Sequence, residues 1–175
     1  MYSDNSITCL SRAEEFRYFL SKAPIKLAVE IGSHKGLSAN VLAEYADRVV
    51  TIDVKDWGKW NVAEEKLHKV ERIIISSEAE ERAILDSLNF DFAFIDGDHH
   101  AEAVIKDFDM VRKCGRVLFH DYWFIGEENA INRDLGLKDG EGVINCRETK
   151  EAIDSLGLNL EIKIPFAYFD INNKN

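Results

Sequence analysis

Apolar positions along this chain follow two rhythms: short unbroken runs, and stretches in which they recur every third or fourth residue. The short runs predict strands at Leu27–Ile31, Val49–Asp53, Arg72–Ser76, Phe92–Asp96, Arg116–His120, Leu160–Ile164 and Ala167–Ile171, because strands covered on both faces are apolar throughout. The helical rhythm falls between most of them, at Leu37–Tyr45, Ala63–Lys69, Ala79–Ser87, Ala101–Arg112 and Thr149–Leu156. An earlier helix over Ser11–Leu20 starts with Ser11 as cap and Glu14 three residues on, a capping box, and Pro24 ends it. Such alternation predicts an α/β, doubly wound, three-layer sandwich around a mostly parallel seven-stranded sheet. Only Pro165 and Phe166 separate the last two strands, too few for a parallel crossover, so the last strand is expected to be antiparallel.

Length changes this picture little, since 175 residues, 46% of them hydrophobic, suit a single domain over 1–175. Charge excludes more. With 22 Lys and Arg against 32 Asp and Glu, the net charge is −10, and no basic run offsets it, so a nucleic-acid partner is not expected. Cys9, Cys114 and Cys146 are odd in number and far apart, which fits reduced cytoplasmic thiols better than disulfides or a zinc site. The N-terminus has no basic region followed by an apolar one, and no apolar run approaches ~18 residues, so a soluble cytoplasmic protein without membrane contact is expected.

Candidate chemistry starts at residues 27–36, Leu-Ala-Val-Glu-Ile-Gly-Ser-His-Lys-Gly, an apolar strand that meets an acid and then a glycine turn opening a helix. Gly32 and Gly36 let backbone pass close to a ligand, and the helix after them turns free amides toward it. The next strand ends at Asp53, an acid suited to ribose hydroxyls. A nicotinamide dinucleotide needs G-x-G-x-x-G, and Ser33, His34 and Lys35 break that spacing. Glu30 would repel a pyrophosphate but suits the cationic amino group of an amino-acid ligand. The stretch resembles motif I, E/D-x-G-x-x-x-G, of class I S-adenosylmethionine-dependent methyltransferases. That resemblance implies a Rossmann-like fold and S-adenosylmethionine as cofactor, held by Glu30, Gly32, Ser33, Gly36 and Asp53. Taken alone, the motif is also compatible with an ordinary strand-turn-helix that holds no ligand.

Two further strands end in chemistry. Residues 90–100 run Phe-Asp-Phe-Ala-Phe-Ile-Asp-Gly-Asp-His-His, and residues 115–122 run Gly-Arg-Val-Leu-Phe-His-Asp-Tyr. Both deliver their acids to the carboxyl edge, where open α/β sheets bind ligands. Neighbouring strands would bring Asp96 and Asp121 together, and two close carboxylates favour a hard divalent cation between them. The pair of segments resembles a subfamily of macrolide and sugar O-methyltransferases with the pattern I-D-G-D-H followed by H-D-Y. With motif I, the resemblance spans residues 25–125. It implies Asp96 and Asp121 as ligands of Mg2+ or Mn2+, and His99 as the base that deprotonates an acceptor hydroxyl. The third ligand departs from the pattern: His120 or Tyr122 falls there, and His120 is the better donor of the two. Alternatively, His120 bonds a backbone carbonyl, Asp121 caps a turn, and Asp98 contacts the cofactor.

Around this core, the resemblance makes 1–24 an N-terminal helical segment, 25–123 the cofactor-binding core, and 124–175 an acceptor loop, helix and C-terminal hairpin. Ser76 and Ser77 fall where the family's loop approaches adenine. Trp57 and Trp60 either cover the adenine or pack under a helix, and Trp123 and Phe124 flank the acceptor. His34 and His100 are expected to face solvent. The implied substrate is a small hydroxylated molecule, sugar-like or a natural product, and a homodimer is compatible with a domain of this size. A non-catalytic Rossmann-like binding domain, and more distantly a nicotinamide oxidoreductase, are the competing functions.

Overall fold

A single sheet of seven strands organises the chain, in the order β3-β2-β1-β4-β5-β7-β6. The computed structural model describes residues 13–122 and 143–173. In chain order the elements are α1 (Ala13–Leu20), β1 (Ile25–Ile31), α2 (Leu37–Tyr45), β2 (Ala46–Asp53), β3 (Val70–Ile74), α3 (Glu78–Ser87), β4 (Phe92–Ile95), α4 (Ala101–Val111), β5 (Arg116–Phe119), α5 (Val143–Ser155), β6 (Leu160–Lys163) and β7 (Phe166–Asp170). Strands β1 to β5 pair in parallel, and β7 alone runs against its neighbours, inserted between β5 and β6. This is the expected α/β, doubly wound, Rossmann-like arrangement.

Strand alternation divides the core into two layers. Ala28, Val49, Phe92, Phe94 and Leu118 face α1 and α2, where Phe16, Phe19 and Leu42 are buried. Val29, Ile31, Ile52, Ile95 and Phe119 face the opposite side, covered by Leu85 of α3, Val104 and Phe108 of α4, and Ile153 of α5. Burying either face against helices is the main favourable contribution to the fold.

Most elements lie within three residues of their expected ends. The helix expected over Ala63–Lys69 is a 3-10 turn, Glu64–Lys69, that buries no residue. Leu67 is its only large apolar side chain, so it has no stripe to pack and tightens instead. Helix α5 begins at Val143, six residues before its expected start at Thr149. Ser11 of the capping box, Cys9, Trp123 and Phe124 lie outside the described residues, as does most of the expected acceptor loop.

The sheet's amino edge is tied by Arg116, whose Nε donates to the Asp91 carbonyl and whose Nη2 donates to the Asp91 carboxylate, both at 2.9 Å. Asp91 in turn accepts from the Lys26 and Leu27 amides of β1. The carboxyl edge is left open.

Candidate active site

A cavity of about 620 Å³ opens at that carboxyl edge, within the usual size of small-molecule sites. Its first wall is the turn after β1. Gly32 has φ of 91°, and a Cβ there would meet the Asp96 carbonyl oxygen at 2.1 Å. Only glycine allows β1 and β4 to end this close together. Gly36, at φ of 80°, opens α2, and a Cβ would strike the Trp60 ring at 2.6 Å. Gly32, Ser33 and His34 line the cavity, whereas Gly36 shapes it from behind.

Asp53, at the end of β2, is nearly buried and lines the cavity. It accepts from the His34 amide at 2.8 Å, the Lys55 amide at 2.9 Å and Trp57 Nε1 at 3.2 Å, with Ser33 Oγ at 3.4 Å. Trp57 stands over the cavity with the His34 ring against it. Trp60 instead packs between Gly36 and the Arg72 guanidinium.

Two expected cofactor residues lie elsewhere. Glu30 is fully buried and does not line the cavity. Alternation along β1 turns it to the α2 side of the sheet, level with Thr51 and Phe94, while the cavity opens at the strand end. Burial pushes its carboxyl up to about 7, against the pull of the Ser38 and Thr51 hydroxyls. Ser77 is the N-cap of α3, its Oγ accepting from the Glu80 amide, and it does not reach the cavity either.

The opposite wall carries the ionisable groups. Asp96 follows β4, and Asp121 follows β5 with a left-handed φ of 57°, a conformation that costs an L-residue ~1 kcal/mol or more. His99 Nε2 stands 3.1 Å from Asp121 Oδ2 and 3.7 Å from Asp96 Oδ1. Ligand atoms of Asp96, His99 and Asp121 all lie within 4.8 Å of one another. The third member of this group is therefore His99, where the sequence pointed to His120. His120 is turned inward, its ring 5.1 Å from Phe166 and 6.3 Å from Phe94. Its Nδ1 lies 2.9 Å from Asp96 Oδ1 and 3.2 Å from Asp121 Oδ1, while its Nε2 is buried without a hydrogen bond.

Charge coupling follows from this packing. Burial alone would lower the His120 pKa, but Asp121 and Asp96 outweigh it and raise it to about 9. Burial opposes ionisation of Asp96, yet His120 and then His99 hold its carboxyl well below the usual range. For His99 the nearby carboxylates of Asp96 and Asp121 overcome burial and raise the pKa. Asp98, also on the cavity, accepts from the His100 amide at 3.0 Å. Burial and acidity missed by the sequence appear in Glu81 of α3 and Asp107 of α4, which line the same cavity. Their signal was an acid on each helix's apolar stripe: Glu81 with Ile84, Leu85 and Leu88, and Asp107 with Val104, Phe108 and Val111.

The strand order and a cavity walled by the β1 turn, the β2 acid and the ends of β4 and β5 define a Rossmann-like methyltransferase fold. Residues 29–122 match the family described as a methyltransferase domain, and the chain belongs to that family. Among solved structures, cofactor-bound Rv0187 from MTB is similar with a TM-score of 0.64 and 20% identity, over 93% of this chain and 81% of that one. The O-methyltransferase from Bacillus cereus in complex with SAH gives 0.59 and 16%, over 91% and 80%. MycE methyltransferase from the mycinamycin biosynthetic pathway, in complex with Mg and SAH, gives 0.58 and 17%, over 90% and 48%, so the chain spans about half of MycE. No curated protein matches the chain in sequence. No described helix is long and apolar enough to cross a membrane.

Proposed function

We propose that the chain is an S-adenosylmethionine-dependent O-methyltransferase acting on a small hydroxylated acceptor, sugar-like or a natural product. The observation that carries this is the meeting of His99, Asp96 and Asp121 on the cavity that Gly32 and Asp53 also line. The SAH bound to the Bacillus cereus enzyme and the pathway named for MycE support the cofactor and the acceptor class.

The bound cofactor would supply an activated methyl group on a sulfonium. Asp53 would accept the ribose hydroxyls, sharing its oxygens with the amides and the indole that already hold it. His99 takes the acceptor's hydroxyl proton at Nε2, and Asp121, 3.1 Å away, stabilises the resulting imidazolium. Removal of that proton leaves the acceptor oxygen as the nucleophile toward the methyl group that the cofactor would supply. Alignment and electrostatics are the protein's main contribution.

The three converging ligand atoms favour a second use of the same residues. Two carboxylates and an imidazole fit a divalent cation, Mn2+ more readily than Mg2+. The cation would be held by Asp96, His99 and Asp121 and would supply Lewis-acid polarisation of the acceptor hydroxyl. One Nε2 lone pair serves one partner, so His99 is either base or ligand. Calorimetric titration with S-adenosylmethionine and S-adenosylhomocysteine, with and without Mg2+ or Mn2+, tests both uses. Micromolar binding is expected; a metal-dependent gain supports His99 as ligand, and metal-independent binding and turnover support it as base. No binding under any condition overturns the function and leaves a non-catalytic domain.

A further inference from the structure

His99 lies in the irregular stretch between β4 and α4, where no ladder of a strand or helix fixes its backbone. A bond from α5 fixes it instead. Thr149 of that helix is 3% exposed, and its Oγ1 donates to the His99 carbonyl at 3.2 Å. A threonine within a helix ordinarily turns its hydroxyl back to a carbonyl of its own helix. Here the bond crosses to another segment and satisfies a loop carbonyl.

The residue before Thr149 holds the other side of the same histidine. The N-cap of α4 is His100, whose side chain makes no capping bond. The Ala101 amide donates to Glu148 Oε2 at 3.3 Å, so a carboxylate from α5 does the capping and meets the positive end of the α4 dipole. Further along α5, Asp154 accepts from the Tyr122 hydroxyl at 2.7 Å, and Tyr122 directly follows Asp121. Lys150 pairs with the same Asp154 carboxylate. Ala152 and Ile153 seat the helix in the core cluster that also holds Val104 and Val111 of α4.

His99 and Asp121 thus follow different strands, and a single helix is bonded beside each of them. Their side chains meet at 3.1 Å, where a misplacement of ~1 Å breaks the contact and costs a reaction ~100-fold in rate. Resting on the role given to His99 above, we propose that α5 is a bracket that sets the His99–Asp121 pair, with Thr149 as its positioning residue and Glu148 supporting the same turn. Neither residue lines the cavity, so both act through His99 and not by touching a ligand.

The test reads the His99 ring itself and needs no acceptor. Imidazole nitrogen resonances of the full chain are recorded by NMR at one neutral pH. His99 is assigned by the loss of its signals in His99→Gln, and Asp121→Asn marks where they move when the pair is broken. Thr149→Val keeps the shape of the side chain and removes the hydroxyl. It is expected to move the His99 resonances in the Asp121→Asn direction while the melting temperature falls by only about 2–4 °C, as loss of one hydrogen bond predicts. Thr149→Ser restores the donor and should restore the original positions. Glu148→Ala should move them the same way by less, and Glu148→Gln, which keeps an acceptor for the Ala101 amide, should leave them in place. Unmoved His99 resonances in every folded one of Thr149→Val and Glu148→Ala overturn the bracket and leave the methyltransferase reading standing. Absence of S-adenosylhomocysteine binding in calorimetry removes that reading, while the shifted resonances still support the bracket.

Discussion

The two walls of the cavity satisfy their polar groups in opposite ways. On the β1–β2 wall, Asp53 accepts from two amides and an indole at 2.8 to 3.2 Å. On the β4–β5 wall, His120 Nε2 is buried without a hydrogen bond, and His99 Nε2 faces Asp121 Oδ2 at 3.1 Å. On the proposed function the first wall would hold the ligand, and its acid is already fixed by its own backbone. On the same reading the second wall would react, and its charges are held by one another rather than by backbone.

Substitutions should separate the walls, and the largest effect belongs where they touch. Gly32→Ala adds a Cβ against the Asp96 carbonyl at a φ of 91°, and strain plus overlap should cost ~4 kcal/mol. A thermal melt should fall by about 10 °C; an unchanged melt would show that the walls are not in contact through this residue.

Glu30→Gln comes next. A carboxyl raised to about 7 when folded gives stability that is complete below its unfolded value, near 4.5, and is lost as pH rises through 7. Removing the charge should therefore stabilise the protein at pH 8.5, on the order of 3 kcal/mol, and do little at pH 5. A gain that is the same at both pH values would refute the burial argument.

His99→Ala should lower turnover ~100-fold or more while S-adenosylhomocysteine affinity, measured by calorimetry, holds. A parallel loss of affinity would move His99 to the holding wall. Asp53→Asn should do the reverse, weakening S-adenosylhomocysteine ~10-fold through the first wall. Smallest is Ser77→Ala, which removes a helix cap worth ~1 kcal/mol and should leave affinity within about 2-fold.

The core strands were legible because they are covered on both faces, so their apolar runs are unbroken and end at the sheet's edge. The acids at those ends, Asp53, Asp96 and Asp121, were legible with them. The burial of Glu30 behind the cavity was not legible because motif spacing gives a residue's position along β1 and not the face it takes. His99 stands with the acid pair in place of His120 for a similar reason: the direction of the His120 ring depends on Phe94 and Phe166, which come from β4 and β7. Glu81 and Asp107 went unread because charged helix residues usually face water, although their stripe positions marked them.

The bond from Trp57 to Asp53 gives the cavity a built-in optical signal. Trp60 is wedged against Gly36 and Arg72, so its emission should stay constant when the cavity fills. On the proposed function Trp57 would share its acceptor with an entering ribose, and its emission is expected to shift as it yields that oxygen. A blue or red shift that titrates with S-adenosylhomocysteine, and is absent in Trp57→Phe, would report occupancy without a label.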